Sequence, residues 1–474
     1  MKVLMFAPEI ALLLGVLSLF HLSLSSPTGD RARKIALVFA VGAVILGLLT
    51  LRLEGTIFFR AYQIDFFSQL IKLILALGLC AVLVIGRGLK GVREEVRPEY
   101  YLFLLSSTAG LMMLVSSVEL LTLFLALELS SFSLYLLVPM RDESTGSRSQ
   151  MEAAIKYILF GVVASGITLF GMSYLFGLTG TTYLAELLPA LTIMLDRPAV
   201  LAGMAMVMAG FFFKLAIFPF HFWVPDVYQG ASNDTTAFIA SLPKVAAAAM
   251  LVRLASLVAA GNDTLVNLLM ILAVLSMFYG NLSALVQKDL KRMLGFSGIA
   301  HAGFVLLGVL TLQEAGFAAS LYYISGYLVM SLACFLVICN VSQNGENVLI
   351  EDLSGLHRRA PFLALILGVG MFALAGIPPF VGFMGKFMLL ANALREGHLT
   401  LVILAALNTA IAIYYYLSVV RVAYTAEPEE RPAVAIDGAT KVVGLALLLL
   451  IVALGVMPTP ALDMAAAAVR TFLL

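Results

Sequence analysis

The stretch GFFFKLAIFPFHFWVPDVYQG, residues 210–230, decides how the rest of the chain is read. It follows an uncharged run, 198–213, and then sets Lys214 inside an apolar segment. Five residues on stands Pro219, which has no N–H to donate and whose ring clashes with the carbonyl four residues before it, that of Leu215. The helix therefore breaks or kinks beside the lysine. A charged side chain and a freed carbonyl then share one place in what reads as a membrane span. In hydrocarbon such an arrangement survives only where protein or water satisfies both groups. A lysine snorkelling past a harmless kink is the plainer alternative. Ionisable residues inside spans are usually functional, which favours the first reading.

The chain around this stretch has 474 residues, of which 62% are hydrophobic and 12% charged. A soluble chain carries about a quarter charged residues. Repeated apolar runs of ~20 residues make this an all-α polytopic membrane protein, embedded in the lipid bilayer. A net charge of +1 and the absence of a basic tract exclude nucleic acid as a partner. Cys80, Cys334 and Cys339 all fall in apolar spans without a C-x-x-C, so no zinc or iron–sulfur site is indicated. The first apolar run, 3–24, is too long for a signal-peptide core and reads as a retained span.

Hydropathy predicts about fourteen transmembrane helices. Helix 7 is broken at Pro219, and helix 12, predicted at 360–394, is broken at Gly376-Ile377-Pro378-Pro379. Two broken helices in separate halves point to an internal repeat. Residues 1–99 read as an N-terminal three-helix segment, 100–260 as a first five-helix repeat (helices 4–8), 261–425 as a second (helices 9–13), and 426–474 as helix 14. The repeats are inverted because five is odd. Lys214 precedes its proline and Lys386 follows its proline pair, so the repeat is one of architecture, not of residues. Alternate loops hold seventeen lysines and arginines on one side, among them Arg87, Arg141, Arg148, Lys291 and Arg431, against six on the other. Both termini are therefore predicted on the non-cytoplasmic side.

Six basic residues remain inside spans. Arg253, near a helix end, reads as a snorkelling residue, and nothing around Lys72 suggests chemistry. The others are Lys156 near the cytoplasmic mouth, Lys214 somewhat cytoplasmic of the midplane, Lys244 near the midplane, and Lys386 beyond the second break, towards the outside. Glu128 is their acidic counterpart near the midplane. Burial disfavours a lysine's charge, and a neighbouring carboxylate restores it. Movement of Glu128 relative to Lys214 would thus switch the lysine between holding and releasing a proton, at about 4 kcal/mol for a contact near ~4 Å. His301 adds an imidazole that can pass a proton or simply make a structural hydrogen bond, and His221 can serve the path or cap freed carbonyls. No phosphate-binding loop and no dinucleotide fingerprint occurs, so the energy for uphill transport comes from an ion gradient or a partner subunit.

At this point FKLAIFPFHFWVPDVYQGAS, EAAIKYILFG, LPKVAAAAMLVRL, QKDLKRMLGFSGIAHAGFVLLG and GIPPFVGFMGKF resemble the antiporter-like membrane subunits of respiratory complex I. PDVYQGA and the lysine at 386 make the chain most similar to the N branch of these NADH-quinone oxidoreductase subunits. The resemblance implies a proton-translocating subunit of the bacterial inner membrane. It implies partners among the other membrane-arm subunits, no cofactor in this chain, and flavin and iron–sulfur clusters in partner subunits. It further implies roles for Glu128, Lys214, Lys244 and Lys386, and a lesser one for Lys156, along a hydrated axis of protons and water. The alternative of the same ancestry is a subunit of a multisubunit cation/proton antiporter.

Overall fold

Long apolar runs become helices in the computed structural model, which describes residues 2–25, 29–146, 149–194, 197–258, 263–425 and 433–473. Among the described residues, twelve helices are long and apolar enough to cross a membrane. The other two predicted spans take different forms. The run 3–24 forms a turn, Lys2–Met5, and a helix of 17 residues, Ala7–Ser23. The span 360–394 forms two helices of 15 residues, Pro361–Ala375 and Val381–Arg395, separated by the Gly-Ile-Pro-Pro break. Arg148 and Arg431, which enter the predicted orientation, lie outside the described residues.

Three features differ from the prediction. A short antiparallel hairpin, Gly55–Ile57 with Tyr62–Ile64, stands before the Phe66–Ile85 helix; its three-residue strands are too short to show a hydropathy period. The 426–474 region holds two helices, Gly438–Val456 and Thr459–Arg470, and the second packs on Glu314–Val341 and Phe66–Ile85. Arg253 does not snorkel. It is buried, donates to Asp65 Oδ2 at 2.5 Å and to the Val115 carbonyl at 3.0 Å, and lies over the Phe67 ring. A guanidinium with an ion-pair partner and a carbonyl in reach has no reason to extend to the surface.

The Asn233–Ala255 helix forms the centre, and all its residues are buried. Its alanines at 246–249 let neighbouring backbones approach closely, as small residues do between membrane helices. Leu290–Val309 and Glu314–Val341 pack beside it and are nearly as buried. Peripheral helices such as Ser149–Thr179 and Gly438–Val456 bury only about a third of their apolar windows and turn leucine, valine and phenylalanine outwards. Lys244 is therefore carried by the most enclosed helix of the molecule.

The two breaks share a backbone. Pro198–Leu215 ends at Ala216, in the left-handed region at φ +68°, and the Ile217 N–H reaches back to the Phe212 carbonyl at 2.9 Å. Pro361–Ala375 ends at Gly376, φ +86°, and the Ile377 N–H reaches the Phe372 carbonyl at 3.0 Å. This is the left-handed helix cap that satisfies terminal carbonyls. The side chains correspond in order: Phe212 with Phe372, Ile217 with Ile377, Pro219 with Pro379, Phe220 with Phe380. At the breaks the likeness thus reaches individual residues, further than the sequence reading allowed. In the same register Lys386 corresponds to Asp226.

Candidate functional site

Lys214 occupies the last turn of its helix, and its Nζ donates to Ser130 Oγ at 3.2 Å. Ser130 Oγ in turn shares a hydrogen bond with Ser107 Oγ at 3.1 Å. Glu128 lies two residues before Ser130 on the same Leu120–Leu137 helix, part-buried, and accepts from the Ser165 hydroxyl. Glu128 and Lys214 are not in contact. The carboxylate remains close enough for its charge to be felt at the lysine.

On the other side of the break, the Trp223 indole N–H donates to the Phe213 carbonyl at 3.0 Å, and the Phe218 N–H donates to Ser276 Oγ at 3.0 Å. His221 caps nothing. It is buried among the rings of Phe218, Phe222 and Tyr279, and neither ring nitrogen has a hydrogen-bond partner.

Lys244 is 1% exposed, and among the described residues its ammonium has no hydrogen-bond partner. Its Nζ lies 5.8 Å from the centre of the Tyr228 ring and 5.4 Å from that of Tyr327, within cation–π range. Gly298 faces it across the gap. A Cβ there would stand 2.5 Å from Lys244 Nζ and 2.9 Å from Tyr327 Oη, so any other residue would close this space. Ring contacts through Phe213, Trp223 and Tyr228 connect the Lys214 region with Lys244, and no hydrogen bond joins the two lysines.

One turn beyond Gly298, His301 joins two hydroxyls, with Nδ1 at 2.6 Å from Tyr323 Oη and Nε2 at 3.0 Å from Tyr416 Oη. A neutral imidazole donates at one nitrogen and accepts at the other, and hydroxyls do both. The triad can therefore take a proton at one end and give it up at the other. Tyr416 also bonds the Ser297 hydroxyl, and its neighbour Tyr415 donates to Asn281 Oδ1 at 3.0 Å. The Lys244 and Lys386 charges both act on His301.

Lys386, 4% exposed, donates to the Leu374 carbonyl at 3.0 Å and the Ala375 carbonyl at 3.1 Å, and lies 5.0 Å from the centre of the Phe304 ring. The carbonyls freed by the second break are thus held by the lysine itself. Lys214, Lys244, His301 and Lys386 form one buried row.

Lys156 stands apart from the row. Its side chain is 36% exposed and paired with Glu152 Oε1 and Asp226 Oδ2, each at 2.6 Å, while Arg292 holds the other Asp226 oxygen at 2.7 Å.

Three further groups were not found from the sequence. Lys72 and Glu9 are both fully buried and meet at 2.6 Å, and Tyr62 Oη donates to the same glutamate oxygen at 2.6 Å. Lys291, expected in a loop, is fully buried in the first turn of Leu290–Val309 and donates to the Ala231 carbonyl at 2.7 Å. Arg141, also expected in a loop, is buried and donates to the Gln229 carbonyl at 2.9 Å and the Gly345 carbonyl at 3.1 Å. Chain separation hides each pair. The only signal available was a charge without a local partner. Among the described residues no three His, Cys, Asp or Glu side chains gather in a geometry that would hold a metal.

With this geometry in place, the sequence matches the family described as NADH:quinone oxidoreductase/Mrp antiporter, transmembrane, over residues 117–412. It is 51% identical to NADH-quinone oxidoreductase subunit N 2 of Opitutus terrae over 97% of this chain and 96% of that one. Among solved structures it is similar to a chain of respiratory complex I from Thermus thermophilus, with 32% identity, a TM-score of 0.84, and 97% of this chain and 99% of that one covered. A chain of the Mrp complex from Dietzia shares the fold at a TM-score of 0.88 and 20% identity, over 100% of this chain and 98% of that one.

Proposed function

The chain belongs to the NADH:quinone oxidoreductase/Mrp antiporter family of membrane proteins, and from that premise we propose that it is the N-type subunit of the membrane arm of a bacterial NADH:quinone oxidoreductase. In this role it moves protons through the buried row while redox chemistry proceeds on flavin and iron–sulfur clusters of partner subunits. The observation that carries the reading is the row itself: three buried lysines and a histidine between two tyrosines, centred on a lysine whose ammonium faces two rings and, among the described residues, has no hydrogen-bond partner. Lys244 takes a proton from the Lys214 side and gives it to His301 across the opening at Gly298. His301 passes it through its tyrosines towards Lys386. Mobile water bridges the gaps that side chains do not. Glu128 gates the first step by approaching Lys214 and withdrawing. The Lys156–Asp226–Arg292 cluster gathers protons at the cytoplasmic mouth, and the loop bias supports termini on the non-cytoplasmic side of the inner membrane. The two five-helix blocks are then inverted copies, each holding one broken helix. The gradient-driven antiporter subunit shares the fold, but the 51% identical relative favours the redox-driven complex.

The test is Lys244→Met in membrane vesicles that retain the whole complex. Methionine keeps the length and removes a charge without orphaning a partner, so assembly and NADH:quinone reductase activity at the redox centres persist. Proton translocation per electron is expected to fall by roughly 100-fold, as for loss of a proton-transfer group. Undiminished translocation with Lys244→Met would remove the row from the mechanism.

A further inference from the structure

Pro243 stands immediately before Lys244, inside the Asn233–Ala255 helix, and is buried like every residue of that helix. It has no N–H, so the Ile239 carbonyl, four residues earlier, loses the donor that a helix would give it. Among the described residues no side chain replaces that donor. One other described helix holds a proline in its interior, Leu184–Met194, and there Pro189 is exposed, so that solvent can satisfy the freed carbonyl. At Pro243 the same loss falls in the most enclosed helix of the molecule, where an unpaired carbonyl is costly. A proline is tolerated inside a membrane helix when another group or water serves the carbonyl it frees.

Each lysine of the row has a proline beside it. The carbonyl four residues before Pro219 is that of Leu215, next to Lys214. The carbonyls four residues before Pro378 and Pro379 are those of Leu374 and Ala375, and these are the two that Lys386 holds, at 3.0 Å and 3.1 Å. At Lys244 the counterpart is the Ile239 carbonyl, which the ammonium does not hold; it faces the Tyr228 and Tyr327 rings instead.

Helix geometry gives the direction of the freed carbonyl. Leu242 meets Gly78 of Phe66–Ile85, and Lys244 meets Gly298 of Leu290–Val309. Pro243 points between those two directions, with Ile239 one turn below it on the same face. The neighbours left for that side are Pro198–Leu215, which carries Lys214, and Arg97–Ser116, which carries Ser107. Side chains in a helix lean back towards its N-terminus, so the Lys244 ammonium lies level with the turn that contains Ile239.

We propose that Pro243 is a positioning residue for proton transfer: the carbonyl it frees holds water on the Lys214 side of Lys244 and orients it towards the lysine. The inference rests on the row as the path of translocation. In the step, an O–H bond of that water breaks as the neutral Lys244 amine takes the proton. The oxygen takes a proton in turn from the donor on the Lys214 side, so the carbonyl keeps its hydrogen bond and gains no charge.

The experiment compares two replacements at position 243 in membrane vesicles that hold the whole complex. Pro243→Ala restores an N–H, which closes the bond to the Ile239 carbonyl. Lactic acid, the α-hydroxy analogue of alanine, introduced by nonsense suppression, has the same side chain but an ester oxygen where the N–H would be. Space left by the proline ring is therefore common to both, and only the freed carbonyl differs. With quinone-reductase activity as the check on assembly, Pro243→Ala is expected to slow translocation by roughly tenfold, the effect of one hydrogen bond made in the transfer step. The ester should restore it. Normal translocation with Pro243→Ala overturns the proposal. Equal loss with both replacements also overturns it, because the ring and not the carbonyl would then matter. Lys244→Met in the same vesicles separates the two readings. If it stops translocation while Pro243→Ala does not, the row stands and the role of Pro243 falls; if translocation survives Lys244→Met, the row itself falls.

Discussion

At the break after Leu215 the lysine stands before the turn, and its ammonium reaches a hydroxyl on another helix, Ser130. At the break after Ala375 the lysine stands beyond the turn, and its ammonium closes back on the carbonyls of Leu374 and Ala375. The backbone is alike in both, with a left-handed residue, an isoleucine that bonds back to a phenylalanine carbonyl, and a following proline. What differs is what each lysine must release in order to move. Lys214 has one neutral, rotatable partner and a carboxylate within electrostatic reach. Lys386 is bound to the frame of its own helix. The break is therefore a reusable backbone device, and the position of the lysine relative to it decides whether the charge is free to change partners.

The sharpest way to break this comparison is at Lys386. Lys386→Met removes the proton site and is expected to lower proton translocation in vesicles by roughly 100-fold with quinone reduction retained. Lys386→Arg keeps a charge and can still donate to carbonyls, but an arginine does not give up its proton. If Lys386 relays protons, arginine fails almost as completely as methionine; full pumping with arginine reduces Lys386 to a fixed charge that holds the break.

Glu128→Gln tests the other side. The amide oxygen still accepts from Ser165, so only the charge is lost. Unit charges ~6–10 Å apart attract by roughly 2–3 kcal/mol at an effective dielectric near 20. Translocation is therefore expected to drop by roughly 20- to 100-fold, no more than at Lys386. A normal proton yield with quinone reduction intact would show that Lys214 works without its carboxylate.

The smallest effect concerns the turns themselves. Ala216 bears a side chain in the left-handed region, a cost of roughly 1–2 kcal/mol, which Ala216→Gly should relieve in part. Gly376→Ala should destabilise by a similar amount. It also places a Cβ 3.0 Å from Lys386 Cδ and 3.3 Å from its Nζ. Thermal unfolding of the two variants in detergent should shift in opposite directions, and shifts of the same sign would mean that the breaks are not equivalent.

How much of this was legible follows from distance along the chain. Helices, both breaks and the lysines beside them were readable because a proline acts on its own helix within one turn. The cap geometry was not, since Ala216 gives no sign that it adopts a glycine's conformation. Arg253, Lys72 and Lys291 were misjudged or passed over for one reason. Their partners Asp65, Glu9 and Ala231 lie far away in sequence, and a charge in a span looks stranded until the fold supplies its counterpart. His301 was legible as a candidate, but its two tyrosines come from separate helices and needed the tertiary structure. Lys156 has the opposite history: it reads as one of the row, and its half-exposed ion pairs set it at the edge.

The enclosure of the Asn233–Ala255 helix also governs how the chain is made. Among the described residues nothing offers Lys244 a hydrogen bond, and two of the groups that wall it in, Gly298 and Tyr327, belong to helices synthesised later. At 5–20 residues per second, roughly 5–20 s pass between synthesis of Lys244 and completion of the Glu314–Val341 helix. During that interval the nascent protein carries a lysine on an alanine-rich helix that lipid accepts poorly. We infer that the insertion machinery holds this helix until the second half arrives. Ribosome-arrested chains ending just after Ala255 should crosslink at this helix to the insertion machinery, and chains ending beyond Val341 should not. Equal crosslinking to lipid at both lengths would mean that the bilayer receives the helix before its neighbours exist.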